Sequence, residues 1–321
     1  MTRPAALRTR RRVAGAVSLA IALTSIAVVR GILTHPPGTP RSAATGSATP
    51  AMVVGHAHGA YAPYPDGTEP MFILVLGSDA RPGEAVERAR SDAIHIVGVN
   101  FRRHRASVID IPRDSWVPIP GHGFNKINAA MAAGGVQLTI QTVEALTGIR
   151  FDYYAVTSFP GMRSMVDEIG GLRIRVPYDI HDPTDGGPPI PRGLRRLDGS
   201  SALAFARARD FVPGGDFGRT RNQGAMLIAA LKQYQGGATG DPASILLWLG
   251  TFMRNVDTDL SFDELISLAY AARQIPSTNV NNVPLQGSTG YEGTQSVVHL
   301  SSRSEAVFAD IRRDGLVDDG M

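Results

Sequence analysis

The sequence predicts a layered α/β domain with a partly parallel β-sheet, preceded by an N-terminal region of a different kind. Short apolar runs typical of buried strands alternate with segments of helical periodicity, and a proline- and alanine-rich stretch comes before the first strand. The 321 residues suffice for one large domain. The chain has no cysteine, which excludes a disulfide framework and any thiolate metal site.

The N-terminus has the pattern of a membrane anchor. Arginines within positions 8–12 lead into residues 13–33, a largely apolar stretch whose only charged residue is Arg30 near its end. About 20 helical residues span a bilayer core, so this stretch predicts a transmembrane signal-anchor. The basic residues predict that 1–12 form a cytoplasmic tail and that the rest of the chain is extracytoplasmic. A cleaved signal peptide is the alternative, because small residues follow at Ala43, Ala44 and Ala48.

Residues 34–66 are rich in proline, alanine, serine and threonine, which predicts a linker rather than a packed core. The folded domain is expected at 67–316. The net charge is only +3, and much of this excess positive charge lies in the basic tail, so we expect no nucleic-acid partner.

The first half of the domain begins with a continuous apolar run at 71–77, which predicts a strand buried on both faces. Two β-rich runs joined by a charged turn predict a hairpin of strands at 93–100 and 105–111. Alternating periodicity then predicts helices at 136–146 and 160–169 and strands at 153–157 and 172–176.

The second half opens with a long polar, proline-rich loop at 181–196. Apolar stripes predict helices at 200–209 and 219–233, and strands are expected at 279–285 and 296–300. Two further helices are predicted from capping boxes, the first formed by Ser261 with Glu264 and the second by Ser302 with Glu305.

Two aspartates are candidate metal ligands. Asp79 follows the first strand and Asp92 precedes the second, so both carboxylates are expected at one edge of the sheet. Carboxylates without a nearby histidine suit Mg²⁺, which leaves positions open for phosphate oxygens. An aspartate at a strand end is also a common turn residue or helix cap, so the pair alone does not establish a metal site.

Several cations could bind an anion. Arg113 follows a strand, and Arg207, Arg209, Arg219 and Arg221 flank a glycine-rich turn that leads into a helix. An arginine at a helix N-terminus directs a forked donor and a positive dipole toward the same point, which favours anionic groups. For any one of these arginines taken alone, a position on a solvated basic helix face is the simpler interpretation. Lys126, in a turn-rich stretch, could add a point charge or be an ordinary surface lysine.

In these segments the chain resembles the LytR-CpsA-Psr family. The recurring segments appear in order as ILVLGSDARPGE, RSDAIHIVGVN, IPRDSWVPIPG, NKINAA, a helix ending in ALTGI, DEIGGLRIRVP, LDGSSALAFARARD and GGDFGRTRNQ. They cover residues 71–233, and the rest up to Asp314 is similar to the family's usual end.

The resemblance implies an α/β/α sandwich with a central mixed β-sheet and an apolar tunnel for a polyprenyl chain. It implies a Mg²⁺-dependent phosphotransferase that moves a glycopolymer from a polyprenyl-pyrophosphate carrier to a cell-wall acceptor such as peptidoglycan. By resemblance Asp79 and Asp92 are metal carboxylates and, with Arg113, catalytic. Pyrophosphate binding is implied for Arg90, Arg113, Lys126, Arg207, Arg209, Arg219 and Gln223.

One position departs from the family pattern. Asn222 stands where the family often has a second arginine, and Arg221 lies one place earlier. One residue rotates a helical side chain by about 100°, so one phosphate contact is in question. A hydrolase of polyprenyl-pyrophosphate lipids and a non-catalytic lipid-carrier binding protein remain alternatives. A transcriptional regulator is disfavoured, because the short cytoplasmic tail cannot hold a helix-turn-helix.

Overall fold

A six-stranded mixed sheet organises the domain in a computed structural model. The structure describes residues 69–81, 84–181, 187–209, 212–238 and 242–318. The predicted tail, signal-anchor and linker lie outside these ranges. Among the helices that the structure describes, none is both long enough and apolar enough to cross a bilayer.

The strands of the structure agree closely with those predicted and add several short ones. They are β1 (Met71–Ser78), β2 (Ser91–Asn100), β3 (Arg105–Asp110), β4 (Trp116–Ile119), β5 (Gly123–Lys126), β6 (Tyr153–Ser158), β7 (Leu172–Val176), β8 (Gly193–Leu197), β9 (Asp257–Thr258), β10 (Val280–Pro284), β11 (Gly287–Glu292) and β12 (Gln295–Leu300).

The central sheet has the order β10-β3-β2-β1-β6-β9. β1 pairs in parallel with β6, and β3 pairs in parallel with β10, while the other neighbours are antiparallel. The predicted mixed sheet is therefore confirmed. In the described ranges, three separate hairpins, β4–β5, β7–β8 and β11–β12, lie outside it.

The α-helices follow the strands in alternation along much of the chain. They are α1 (Ala129–Thr147), α2 (Phe159–Glu168), α3 (Gly199–Arg207), α4 (Asp216–Ala238), α5 (Pro242–Asn255), α6 (Phe262–Ala272) and α7 (Ser302–Asp314).

Helices pack on both faces of the sheet, which gives three layers. Leu74, Ile94 and Val156 point from one face into a core shared with α1 and α7. The alternate residues, such as Val75 and Ala155, point from the other face toward α2, α3, α4 and α5. This alternation follows from the period of two in a β-strand.

Helix ends test the capping predictions. Ser261 and Glu264 form the predicted capping box of α6. The second predicted box, Ser302 with Glu305, is wrong: α7 begins one residue earlier, with Ser301 as its N-cap, and has no side-chain capping bond. That shift puts Glu305 one position beyond the place from which its carboxylate could reach back to the cap.

Some elements were not predicted. β4 contains Pro118 and β5 is largely polar, so neither has the alternation that predicts a strand. The loop predicted at 181–196 is too long, because its end forms β8 and pairs with β7. Helix α5 also escaped prediction, although Trp248 and Phe252 from it line the interior.

Candidate active site

The first part of the site lies where β1 ends. A β-bulge between Gly77 and Ser78 interrupts the pairing of β1 with β2. Beyond it, the Asp79 backbone N–H donates to the Arg90 carbonyl oxygen at 2.9 Å, and the Arg90 backbone N–H donates to Asp79 Oδ1 at 2.8 Å. Asp92 is the second residue of β2 rather than a residue before it. Both aspartates lie at the same end of the β1–β2 pair.

The loop after β3 brings Arg113 to this end of the sheet. Backbone hydrogen bonds fix the loop: the Asn128 N–H donates to the Arg113 carbonyl at 3.2 Å, and the Val298 N–H donates to the Asp114 carbonyl at 2.8 Å. The loop is thus held from two sides, by the start of α1 and by β12. Such support keeps a charged side chain in a defined position.

Two ion pairs link this loop to its surroundings, and a third lies within the loop. Arg113 Nη1 lies 2.5 Å from Asp92 Oδ1, and Arg113 Nε lies 4.0 Å from Asp114 Oδ2. Lys126 Nζ on β5 lies 3.1 Å from Asp114 Oδ1. Among the described residues Arg113 Nε has no hydrogen-bond partner, although it is buried. This donor remains available to a further acceptor.

The N-terminus of α4 supplies another ion pair. Gly214 and Gly215 have φ angles of 90° and 56°, a left-handed conformation that glycine adopts without strain, and α4 begins immediately after them. In the first turn of the helix, Arg219 pairs with Asp216. Arg219 is only 5% exposed, and its Nε has no hydrogen-bond partner within the described part of the chain.

Six residues form what we call the charged cluster: Asp92, Arg113, Asp114, Lys126, Asp216 and Arg219. Burial raises the pKa of Asp216, although Arg219 and Arg113 oppose this. Burial lowers the pKa of Arg219, and Asp216 offsets part of the effect. Burial also opposes the charge on Arg113, but Asp92 and other carboxylates outweigh it and raise its pKa. The three groups influence one another, so they act as one electrostatic unit.

Gln223 connects the charged cluster to the helices. Its Nε2 donates to the Ala206 carbonyl at 2.9 Å and lies 3.5 Å from the Asp92 carbonyl oxygen. Gln223 Oε1 is buried and has no hydrogen-bond partner among the described residues. An unsatisfied buried acceptor of this kind is uncommon and often marks a place where a ligand donates.

The other predicted arginines lie at the rim. Arg207 is the last residue of α3, and its Cζ lies 5.0 Å from the centre of the Phe159 ring, within cation–π range. Arg209 is exposed. Burial raises the pKa of Asp216, and the charge of Arg209 opposes part of that rise. The Arg90 side chain is exposed beside Asp79.

An apolar cavity of about 340 Å³ begins at the charged cluster and runs between the sheet and the helices. Its polar lining includes Asp92, Arg207 and Gln223. Its apolar lining comprises Val75, Ala93 and Ala155 on the sheet, Met162, Met165 and Val166 on α2, Leu203 on α3, Met226, Leu227 and Ala230 on α4, and Trp248 and Phe252 on α5. The cavity therefore combines a charged end with a long apolar wall.

Two acidic residues of the charged cluster were missed by sequence reasoning. Asp114 and Asp216 lie in the motif segments IPRDS and GGDFG, but no role was predicted for either. The available signal was their spacing, because each lies within three residues of a candidate arginine. Such spacing is too common on protein surfaces to predict a buried ion pair.

A buried pair at the wall of the cavity had no sequence signal. His95 Nδ1 lies 2.7 Å from Asp110 Oδ1, and both residues are almost fully buried. Asp110 Oδ2 has no hydrogen-bond partner within the described residues. A Cβ atom on Gly224 would lie 2.4 Å from Asp110 Oδ1, so only glycine allows α4 to pass this close to the pair.

The side chains of Asn222, the substituted family position, and of its neighbour Arg221 bond to residues outside the charged cluster. Arg221 is exposed, and its Nη2 donates to the Pro213 carbonyl at 3.2 Å. Asn222 is buried, and its Oδ1 accepts from the Tyr178 hydroxyl at 3.0 Å. Neither side chain has a contact with Asp92 or Arg113 in the described structure.

The two aspartates at the end of the β1–β2 pair can supply only part of the coordination shell of a metal ion. The described residues contain no group of three or more side chains that could hold a metal ion. The contacts of Asp79 and Asp92 described above engage Oδ1 of each residue. Mg²⁺ typically binds one or two carboxylates and completes its shell with water and phosphate oxygens. The donor set is therefore suited to Mg²⁺ in the presence of a phosphate ligand.

Comparison with known proteins shows relatives over most of the chain. TagT, a polyisoprenyl-teichoic acid–peptidoglycan teichoic acid transferase of Bacillus subtilis (strain 168), is 31% identical over 256 residues, which are 77% of this chain and 76% of TagT. A protein of the same type from Bacillus mycoides (strain KBAB4), TagU, is 33% identical over 202 residues, covering 63% of this chain and 64% of TagU.

Solved structures have the same fold. The crystal structure of B. subtilis TagV has a TM-score of 0.66 at 27% identity and covers 76% of this chain and 95% of TagV. YwtF (TagT), solved with bound octaprenyl pyrophosphate lipid, has a TM-score of 0.60 at 25% identity over 80% of this chain and 91% of YwtF. The LytR_cpsA_psr family model matches residues 43–312. With its three-layer α/β fold and its motifs in register, this chain belongs to the LytR_cpsA_psr family.

Proposed function

We propose that this protein transfers a glycopolymer from a polyprenyl-pyrophosphate carrier to a cell-wall acceptor such as peptidoglycan. The observation that supports this most is the continuity of the charged cluster with the apolar cavity through Asp92 and Gln223. A polyprenyl pyrophosphate has the same two parts, a charged head and a long apolar chain. The relatives named as teichoic acid transferases support the same reaction class.

The reaction would join the acceptor to the glycopolymer through a phosphate. The oxygen of the acceptor hydroxyl forms a bond to the phosphorus next to the sugar. The bond from that phosphorus to the bridging oxygen breaks, and polyprenyl monophosphate leaves with the bonding electrons. The hydroxyl proton passes to an aspartate of the site, Asp79 or Asp92.

The arginines would stabilise the charge that develops on the phosphate oxygens. Arg113 and Arg219 each contact a carboxylate closely through an Nη nitrogen, while Nε of each has no hydrogen-bond partner among the described residues. A guanidinium presents five N–H donors in a planar fork, so each can bind phosphate without leaving its carboxylate. Because the positions of these donors are set before substrate arrives, little reorganisation is needed in the transition state.

We further propose that Asp79 and Asp92 bind Mg²⁺ when the lipid pyrophosphate is present. The ion would neutralise phosphate charge and help to orient the reacting groups. Lys126 adds a point charge next to Asp114, and Arg207 and Arg209 extend the positive rim outward.

We also propose that the domain acts outside the cytoplasm, tethered by a signal-anchor at residues 13–33. Support comes from the arginines that precede this apolar stretch. A periplasm-active reporter enzyme fused after Met321 should be active. A cytoplasm-active reporter at the same point should be inactive, and the reverse result would remove the cell-wall assignment.

A transfer assay tests the proposed function. The full chain in detergent micelles would be mixed with a short-chain pyrophosphate-linked sugar and a peptidoglycan fragment, and the coupled product detected by mass. Ala230→Phe, which fills the apolar cavity, should reduce coupling strongly. Ala133→Phe on the exposed side of α1 is the matched control and should keep it. Failure of the unmodified protein to form any coupled product would refute the proposal.

A further inference from the structure

The wall of the apolar cavity contains a buried pair that the reaction described above does not use, His95 with Asp110. His95 lines the cavity, and its Nδ1 lies 2.7 Å from Asp110 Oδ1. His95 is only 2% exposed, and Asp110 is fully buried. Among the described residues, the His95 side chain makes no other hydrogen bond. Nε2 is therefore the ring nitrogen that remains for a ligand in the cavity.

The pair lies next to the charged cluster along two neighbouring strands. Asp92 precedes His95 by three residues on β2, and Arg113 follows Asp110 by three residues beyond the end of β3. Asp92 contacts Arg113, just as His95 contacts Asp110. The two strands therefore carry two successive pairs, separated by about 10 Å of strand at about 3.4 Å per residue.

Helix α4 passes over both pairs with consecutive residues. Gln223 Nε2 lies 3.5 Å from the Asp92 carbonyl oxygen, and a Cβ atom on Gly224 would overlap the Asp110 carboxyl group. Asp92, Gln223 and His95 all line the same cavity. His95 therefore lies on the cavity wall just inward of the charged cluster, where the polar end of the cavity meets its apolar part.

Two threonines of the cavity wall bond within the protein instead. The Thr157 hydroxyl donates to the Asn255 carbonyl at 2.8 Å, and the Thr251 hydroxyl donates to Glu168 Oε2 at 2.9 Å. Both bonds hold α5 in place, one against β6 and the other against α2. These hydroxyl protons are committed to the fold, whereas Nε2 of His95 has no such bond among the described residues.

Burial determines which protons the pair carries. An ionised Asp110 beside a neutral His95 would have a net negative charge, which is costly away from water. One further proton makes the pair neutral, and burial raises the pKa of Asp110 in the same direction. That proton lies either on the carboxyl group, which then donates to Nδ1, or on the imidazole. In both arrangements Nε2 carries a hydrogen, so it is a donor on the cavity wall.

A donor at this position is suited to the phosphate that is attached to the lipid. In the proposed reaction the polyprenyl chain occupies the apolar cavity, so the lipid-side phosphate lies nearer to the cavity than the glycan-side phosphate. The lipid-side phosphate gains negative charge as polyprenyl monophosphate leaves. A donor that is already held in place stabilises such charge with little reorganisation.

We propose that His95 Nε2–H donates a hydrogen bond to an oxygen of the lipid-side phosphate, which makes His95 a further catalytic residue and Asp110 its positioning residue. The inference rests on the proposed function, because it assigns the contact to the leaving group of that reaction. The acceptor oxygen bonds to the glycan-side phosphorus, and the bond from this phosphorus to the bridging oxygen breaks. The bonding electrons stay on the lipid-side phosphate, and His95 transfers no proton.

Lipid binding by the full chain in detergent tests the inference, with calorimetry and three probes: farnesyl pyrophosphate, farnesyl monophosphate and farnesol. His95→Leu removes the donor and keeps an apolar wall, while His95→Gln keeps an N–H donor near the position of Nε2. His95→Leu combined with Asp110→Val is a second variant, because it leaves no unpaired buried carboxyl group. Val75→Ala is the matched control, since Val75 lies opposite His95 on β1 and lines the same cavity.

Both leucine variants should weaken binding of the two phosphorylated probes roughly tenfold to a hundredfold, the effect of one hydrogen bond to a charged group, and change farnesol binding by less than about threefold. His95→Gln should recover most of the loss. Val75→Ala should weaken all three probes by similar factors, because it removes apolar contact alone.

Two results would overturn the inference. Equal weakening of all three probes by both leucine variants would show that His95 only packs against the chain. Weakening of the pyrophosphate without the monophosphate would place the contact on the glycan-side phosphate.

Transfer assays separate this inference from the proposed function. With a short pyrophosphate-linked sugar as donor, kcat should fall in His95→Leu and recover in His95→Gln. Phosphate-dependent lipid binding through His95 without any transfer would support the contact and reject the transferase. Transfer and probe binding that are both unchanged in the two leucine variants would keep the transferase and reject the role of His95.

Discussion

Arg113 Nη1 and Asp92 Oδ1 lie 2.5 Å apart, so a candidate phosphate-binding arginine directly contacts a candidate metal ligand. Arg219 and Asp216 repeat this relationship on α4. In each pair a carboxylate balances the charge of a largely buried guanidinium, and Nε of the arginine has no hydrogen-bond partner in the part of the chain that the structure describes. The carboxylates compensate the buried arginine charges when no anion is bound, and the Nε donors can bind an anion when it arrives.

The Arg113–Asp92 pair predicts that geometry matters as much as charge at position 113. Arg113→Lys keeps the charge but loses the fork, so it should reduce transfer by roughly tenfold, and Arg113→Ala by roughly a hundredfold or more. Initial rates of transfer of a short pyrophosphate-linked sugar provide the measurement. If the lysine variant retained the full rate, Arg113 would supply only a point charge.

Arg219 and Arg221 form an internal comparison on one helix. Arg219 is buried in the charged cluster, while Arg221 is exposed and contacts the Pro213 carbonyl. Arg219→Ala should therefore reduce transfer of the short donor much more than Arg221→Ala. Comparable small losses for the two variants would indicate a solvated basic face.

Asn222 offers a related stability test. Replacing it with arginine, which would match the usual family pattern, puts a charge where Asn222 is buried and bonded to Tyr178. We expect Asn222→Arg to lower Tm rather than restore a phosphate contact. A rise in transfer rate with an unchanged Tm would show that the side chain can reach the charged cluster.

Asp79 and Asp92 are predicted to bind Mg²⁺ together with the lipid pyrophosphate. Asp79→Asn and Asp92→Asn should each preserve the fold and weaken Mg²⁺ binding, measured by calorimetry in the presence of a non-transferable pyrophosphate analogue. Asp314→Asn, a surface carboxylate paired with Arg103, serves as the control. Unchanged Mg²⁺ affinity in both active-site variants would show that the metal, if it binds, is held elsewhere.

The buried Asp110 predicts a pH dependence of stability. Burial raises its pKa above the usual 3.8, although His95 and Arg221 lower it in part. The stability that the protonated Asp110 carboxyl contributes is fully present below pH 3.8, the usual pKa of the group. It is lost as the pH rises through the raised pKa of the folded state. Of its other neighbours, Asn282 and Gly224 carry no charge.

Asp110→Asn cannot ionise, so it should remove this dependence. The Tm of the wild type relative to the variant should fall as pH is raised from about 4 to about 8. A difference in Tm that is independent of pH would contradict the assignment. Thermal unfolding followed by circular dichroism in matched buffers provides the measurement.

Much of the framework follows from local sequence. The apolar run that forms β1 and the capping box of Ser261 with Glu264 were predicted because each depends on neighbouring residues alone. The resemblance singled out Arg113, Asp92 and Arg219, and the structure brings these three into one cluster.

The unpredicted features depend on contacts between distant residues. Asp110 and His95 look like ordinary strand residues, and only the pairing of β2 with β3 brings them together. The β4–β5 hairpin depends on its packing against α1 and β12 rather than on alternation.

The ratio of two products tests the central claim most directly. The full chain would be given the pyrophosphate-linked donor with and without a peptidoglycan acceptor, and released polyprenyl monophosphate would be compared with glycan bound to the acceptor. A transferase predicts that the two products form in equal amounts and that little monophosphate is released without acceptor. Monophosphate release that is independent of acceptor would identify a hydrolase, and lipid binding without either product would identify a carrier-binding protein.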